Sequence, residues 1–252
     1  MSFKHAIYAA GCSLLIAAGT AQAREVDGDE ASAGDTSDQA VNGSYSPFLH
    51  GPLAGAHVAV SVNGGWDAAT GSARADASGW MPLYGRVSMV LGAHLGASET
   101  WRPSAGLAIS LWDAGREGSA GQLLLQYKAE GFSEPEGELE LTLRSGYRSG
   151  IVSLFVEGSY GQDPEANERD AELATDASLV AGHFSLGVGA RGRKGLGEKQ
   201  ELVAWDLAAG PHLGLLVSEG HFLGVAGGLS LVSIEGETRA GVLGLASYAV
   251  SY

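Results

Sequence analysis

Cysteine is almost missing from this chain. The single one, Cys12, lies in the first two dozen residues. An exported chain without further cysteine cannot rest on a disulfide framework. Basic residues are scarce as well: 15 lysines and arginines stand against 29 aspartates and glutamates, for a formal charge of −14. Such a balance argues against nucleic acid as a partner, because phosphate binding needs a basic surface. Long apolar runs are also lacking. After the N-terminal segment no stretch reaches the roughly 18 residues of a membrane-spanning helix, although 45% of the residues are hydrophobic. No segment beyond the N-terminus has a helical period.

What is present begins with "MSFKHAIYAAGCSLLIAAGTAQA". Lys4 and His5 precede a mostly apolar stretch, Ala6 to Ala18, and Ala21-Gln22-Ala23 is a small-residue cleavage site. Residues 1–23 read as a secretory signal peptide, to be excluded from the fold. Gly11-Cys12-Ser13 has the form of a lipid-attachment site. However, Ala9 stands where such sites carry leucine, and much of the apolar run follows Cys12. Residues 24–54 carry Glu25, Asp27, Asp29, Glu30, Asp35 and Asp38 with few apolar residues in the first half, and read as a flexible acidic leader.

From Gly55 onward the pattern changes to period two. Twelve segments follow one another: 55–63, 72–80, 85–97, 104–112, 120–131, 137–147, 150–161, 171–181, 183–192, 202–217, 221–233 and 239–252. In "GELELTLRSGY", Leu139, Leu141 and Leu143 alternate with Glu138, Glu140, Thr142 and Arg144. The connectors alternate between short ("MPLYG", "RSG", "SEG") and longer, charged ones ("NGGWDAATG", "FSEPEG", "GQDPEANERD", "RKGLGEKQE"). "DAGREGSA" breaks that rule. Segments of 9 to 13 residues suit tilted membrane-spanning strands better than the 5 or 6 typical of soluble ones. In a bilayer every backbone polar group needs an internal partner, so a sheet can span only if it closes. The expected fold is all-β: a closed antiparallel transmembrane barrel over 55–252, of twelve strands, or ten if the first two segments are not strands. Aromatic residues near segment ends suggest two interfacial girdles. Trp80, Tyr84, Trp112, Tyr147, Phe184, Phe222 and Tyr252 lie on the short-turn side, and Trp101, Phe132, Tyr160 and Trp205 on the other.

The last strand ends "SYAVSY", with Tyr248, Val250 and Tyr252 at alternate positions. This ending resembles the C-terminal signature of bacterial outer-membrane β-barrel proteins. The resemblance implies an outer-membrane location, lipid and lipopolysaccharide as surroundings, and recognition of those three residues by the barrel-insertion machinery. The competing architecture is a soluble periplasmic β-sandwich or β-solenoid acting as a binding module.

Chemistry is sparse. Gly187 to Gly192, "GVGARG", fits G-x-G-x-x-G, but it lies inside a strand with no helix to present to a phosphate; small residues facing a crowded interior explain it better. His183 and Ser185, two apart on one strand face, could form a hydrolase pair acting on lipid, yet no orienting group accompanies them. "DPEANERD" lacks the glycine of a calcium loop. No catalytic, cofactor or metal residues are assigned, and no enzyme activity is expected. The one constellation of interest is Lys128, Glu130, Glu138, Glu140, Arg144 and Glu157, on the polar rows of three consecutive strands. A symmetric 131–137 loop would set Glu130 opposite Glu138 and Lys128 opposite Glu140. The like-charged pair would then need a cation such as Arg144, Arg86, Arg191 or a bound metal. The network is either a filling of ion pairs in a narrow barrel or a charged pore lining. The expected role is structural or that of a small pore with acidic external loops. The sequence is silent on oligomeric state.

Overall fold

A computed structural model of the chain describes residues 46–49, 58–95, 100–113, 118–132, 134–163, 168–196, 203–218 and 220–251. The signal-peptide reading, most of the leader, Cys12 and Tyr252 lie outside the described residues.

The twelve period-two segments form twelve strands: β1 (Ala59–Asp67), β2 (Ser72–Tyr84), β3 (Val87–Leu95), β4 (Trp101–Asp113), β5 (Gly118–Gly131), β6 (Glu134–Ser149), β7 (Val152–Asp163), β8 (Glu168–Ala181), β9 (Phe184–Gly195), β10 (Val203–Ser218), β11 (His221–Ile234) and β12 (Glu237–Ser251). Each pairs antiparallel with its sequence neighbours, and β12 returns to β1, from Ala59↔Ser251 to Asp67↔Leu243. The sheet is therefore closed and has no edge. β1 and β2 are genuine strands, so the count is twelve rather than ten, and a single closed sheet replaces the two stacked sheets of a sandwich.

Closure defines two ends. β1 starts and β12 finishes at one, here the near end; the other is the far end. Four of the five near-end links span only two residues, the exception being 114–117 between β4 and β5. Gly150 and Gly182 open two-residue turns at φ of 55° and 57°, values that a residue with a Cβ adopts only under strain. The far end differs from expectation. Its connectors are shorter than the charged stretches suggest: β1 runs to Asp67, β7 runs to Asp163, β8 starts at Glu168, and β5 meets β6 across residues 132–133. The expected long acidic loops are thus partly strand. The cause is that the antiparallel ladder is made by backbone groups, so pairing continues past the apolar rows into polar sequence.

The alternation sorts the side chains as anticipated. Leu139, Leu141 and Leu143 of β6 point outward and are about half exposed, while Thr142 and Arg144 are buried. Val152, Leu154 and Val156 of β7 face out, with Phe155 and Glu157 buried between them. In β9, Phe184, Leu186 and Val188 face out and Ser185 faces in. The outer surface is an apolar belt of a size that soluble monomers do not expose.

The girdles need two corrections. Trp80 and Phe222 are buried inside, because both share the parity of inward polar neighbours. Tyr84, Trp112, Tyr147 and Phe184 at the near end, and Phe132 and Tyr160 at the far end, are exposed. Trp66 and Tyr127 at the far end and Tyr248 at the near end join them, with the Tyr248 hydroxyl 2.7 Å from His221 Nδ1. Val250, on the Tyr248 row, is itself buried.

Candidate functional site: the barrel interior

Inward parity fills the barrel with layers of different chemistry. Toward the near end the filling is apolar. Trp80, Val90, Ala108 and Leu124 pack with Ala59, and Val180 packs with Phe222, Leu216 and Ala249. Toward the far end it is charged.

Of the six residues in the charge constellation, the structure joins Lys128 to Glu140 and Arg144 to Glu157, in a register that differs from that of a symmetric loop. A bulge between Ala129 and Gly131 lets Gly131 pair with Glu134 and sets Lys128 opposite Glu138 and Gln126 opposite Glu140. Pairing continues to Gly131 and Glu134 in place of the expected symmetric 131–137 loop, and the partners of Gln126 and Lys128 lie two residues from that expectation. Glu130 does not face Glu138; it sits exposed at the strand end, outside the network. Lys128 reaches diagonally and donates to Glu140 Oε2 at 2.5 Å, and the Thr142 hydroxyl donates to Glu140 Oε1 at 3.2 Å. The register thereby removes the like-charge pair on β5 and β6.

Arg144 and Glu157, opposite one another on β6 and β7, form the most enclosed pair: Nε to Oε2 is 2.7 Å, with side-chain exposures of 1% and 3%. The guanidinium carbon lies 5.4 Å from the Trp80 ring centre and 5.6 Å from that of Phe155. A planar cation between two aromatic faces is held by the ring quadrupoles as well as by the carboxylate. Beside it is a small recess of about 30 Å³, lined by Ser61, Asn63, Asp76, Ser78, His94, Gln126, Lys128, Glu140 and Thr142 among others. Across it, His94 Nδ1 lies 2.7 Å from Asp76 Oδ1, its Nε2 lies 3.1 Å from Ser104 Oγ, and Gln126 donates to the same hydroxyl at 2.6 Å.

Sequence reasoning missed the opposite wall. Arg191 pairs with Glu172 and Arg193 with Asp170, both at 2.5 Å. His212 Nε2 lies 2.5 Å from Asp176 Oδ2, with both side chains almost fully buried. Arg74 reaches Asp67 at 3.4 Å and Asp206 at 3.8 Å, and Ser230 donates to Asp67 at 2.6 Å. The signal was there: these residues occupy inward parity on β1, β2 and β8 to β11. Of these only Arg191 entered the sequence reading, as a possible cation for glutamates. In the far half of the interior, acidic groups outnumber basic ones. Glu138 and Asp170 converge over Gly161, where a Cβ would meet both carboxylates.

The remaining sequence candidates divide. Two glycines of "GVGARG" face a crowded interior, where a Cβ at Gly187 would meet His212 and one at Gly189 would meet Phe48; Gly192 lies on the outward row, beside Leu207. His183 and Ser185 do not come together. His183 is exposed in the near-end turn, whereas Ser185 is buried inside, where the same-face histidine of the adjoining strand is His212. The middle of "DPEANERD" lies outside the described residues, and no group of three or more metal-ligating side chains is found among those described.

The interior also holds a segment that is not part of the wall. Ser46 to Leu49, from the C-terminal part of the expected leader, form a turn closed by Leu49 N–H donating to Ser46 O at 3.2 Å. Phe48 and Leu49 are almost completely buried. Phe48 packs with Ala208 of β10 and Leu243 of β12 and lies over Gly189 of β9. Leu49 packs with Ala120, Phe155 and Ala174, of β5, β7 and β8. Its carbonyl accepts from Asn63 Nδ2 of β1 at 3.0 Å. This part of the leader is therefore packed. The reason is composition: "SPFL" supplies apolar side chains that the acidic first half lacks.

No protein-family model matches the chain, and no curated protein does so by sequence. Among solved structures the chain is similar to the NanC porin, with a TM-score of 0.54 at 6% identity, covering 76% of this chain and 98% of that one. It is also similar to the outer-membrane channel DcaP of Acinetobacter baumannii, with a TM-score of 0.44, 10% identity, and coverage of 72% and 63%. Likeness at such identity is likeness of fold, and the first comparison carries it.

Proposed function

We propose that this protein is a bacterial outer-membrane β-barrel that forms a narrow pore with an acidic interior. The observation that carries the reading is the division of faces. A closed twelve-strand sheet turns its leucine and valine rows outward and its arginines, carboxylates and serines inward. A wall of that kind suits lipid outside and water or polar filling inside. The fold similarity to a porin supports it. On this reading lipid and lipopolysaccharide surround the barrel, residues 1–23 direct export, and Tyr248, Val250 and Tyr252 form the assembly signal. The excess of carboxylates at the far end favours cations over anions in transit, since rings of acidic side chains raise the local cation concentration.

The test is electrical. Refolded protein in a planar bilayer should give small conductance steps, and a potassium chloride gradient should give a reversal potential of the sign for cation preference. Recovery of the protein as a freely soluble periplasmic species would refute the membrane reading. Anion preference would refute the role given to the interior carboxylates.

A further inference from the structure

We infer that the Ser46–Leu49 turn is an internal plug that closes the lumen, so that the resting barrel is shut and its open state requires this segment to leave. The inference rests on the pore reading above and adds to it a specific obstruction.

The turn is not a tail lying against one wall. Phe48 and Leu49 are consecutive, yet they belong to clusters on two different, adjoining arcs of the barrel: Phe48 with residues of β9, β10 and β12, and Leu49 with residues of β5, β7 and β8. The Asn63 amide ties the backbone between them to β1. The two clusters and the Asn63 bond together involve seven of the twelve strands, spread from β5 round to β1, so the turn lies within the barrel interior and not against one strand pair.

The wall is shaped to receive it. Several inward positions beside the two side chains are small, Gly189 and Ala208 by Phe48 and Ala120 and Ala174 by Leu49, with Leu243 and Phe155 completing the two apolar clusters. A Cβ on Gly189 would run into the Phe48 ring. In the charged layer, by contrast, inward residues are large and polar and pair with one another, as Arg144 with Glu157 and Arg191 with Glu172 do. An apolar socket of small residues amid paired charges has no use in a water-filled pore. It matches one phenylalanine and one leucine carried by this chain.

The contact is also releasable. Contacts of the segment with the wall include side-chain packing and the Asn63 amide bond, with no strand pairing, whereas the wall is held by a continuous backbone ladder. Departure of the turn would leave the twelve-strand pairing intact.

Because Cys12 is the only cysteine of the sequence, a Cys12→Ser background lets single introduced cysteines report cleanly on the lumen. Ala174→Cys and Ala208→Cys place thiols under Leu49 and Phe48. In full-length protein refolded in vesicles, a small charged thiol reagent should label neither at an appreciable rate. Adding Phe48→Ala with Leu49→Ser should raise both labelling rates at least tenfold, and should raise the mean single-channel conductance several-fold. Heat-dependent gel mobility confirms that each variant still forms a barrel. Unchanged labelling in a folded variant overturns the plug. Raised labelling without any conductance retains the plug and overturns the pore reading, so the two ideas fail separately. As a second route, Gly189→Ala acts from the wall: it should expose Cys at 208 with the turn's own sequence intact, and protection there equal to that of the parent would also count against the plug.

Discussion

Arg144→Met would test whether the barrel interior is packed or flooded. The substitution keeps an unbranched side chain between Trp80 and Phe155 but removes the cation facing Glu157, whose carboxylate is 3% exposed. Breaking a buried ion pair by removing one partner costs about 3–5 kcal/mol, because the survivor stays desolvated. Losing the cation between two ring faces adds roughly 0.5–2 kcal/mol. We expect a net loss of about 4 kcal/mol, close to a thousandfold in the folded ratio, since some water reaches the neighbouring recess. Glu157→Gln should cost less, about 2 kcal/mol, because the amide still accepts from Nε. The double variant should be far better than the sum, since no uncompensated charge remains. The coupling should fall with exposure. Lys128 and Glu140, at 18% and 13% exposure, should couple by about 1 kcal/mol, and Arg239 with Glu237, at 51% and 78%, not measurably. Urea titrations in phospholipid vesicles, followed by tryptophan fluorescence and by gel mobility, give the cycle. Additive single variants costing under about 1 kcal/mol each would show that Arg144 and Glu157 are hydrated, and the packed interior would have to be abandoned.

Three further outcomes follow from the faces and the closure. Leu141→Arg should impair insertion by about 2–4 kcal/mol, as a cation on the lipid side does, while Thr142→Arg enters the recess beside Glu140 and should be tolerated better in the same refolding yield; equal effects would invert the assignment of rows. Gly187→Ala should destabilise by roughly 1–3 kcal/mol through overpacking against His212 and the Ala177 carbonyl, whereas Gly79→Ala, with open space around its Cβ, should be near neutral, both read as the temperature at which gel mobility changes. Deleting residues 248–252 removes the partners of Ala59 to Val62 and should block barrel assembly while export proceeds; normal outer-membrane levels of heat-modifiable deletion protein would contradict this.

The wall of this protein was largely legible and its filling was not, for a physical reason. Strand existence and face follow from a period of two, which is a local property, so all twelve strands and the outward leucine rows could be read one segment at a time. Strand ends are set by how far the backbone ladder continues. That is why β1, β7 and β8 reach into stretches that look like loops. Parity also decides aromatic placement, and it could have been applied more strictly: Trp80 shares its row with Ser78 and Asp76, and Phe222 shares its row with Gly224, so neither belonged to a girdle.

Pairing across strands is a different kind of information, because a single bulge resets it. Pairing that continues to Gly131↔Glu134, with a one-residue irregularity between Ala129 and Gly131, leaves the β5–β6 register two residues from that of a symmetric 131–137 loop. Two is an even shift, so every side chain keeps its face while every cross-strand partner changes. The row assignment of Lys128, Glu138 and Glu140 therefore survives, and the Glu130–Glu138 repulsion does not. The consequence is favourable: Lys128 comes to lie between two carboxylates, opposite Glu138 and bonded to Glu140, in place of a like-charged pair that would have needed another cation. The opposite wall shows the same logic on a larger scale. Arg191, Arg193, Glu172 and Asp170 are legible one by one as inward residues of β8 and β9, but their pairing is fixed only when the two strands align around the Gly182 turn. The plug is one level further removed. Nothing in "SPFL" has a period, and its burial depends on small residues contributed by strands up to 195 positions away, as with Leu243 against Phe48. Gly189, which a nucleotide-loop pattern would claim for a phosphate, is the position that registers this. It is small because a phenylalanine from the chain's own N-terminal region lies over it.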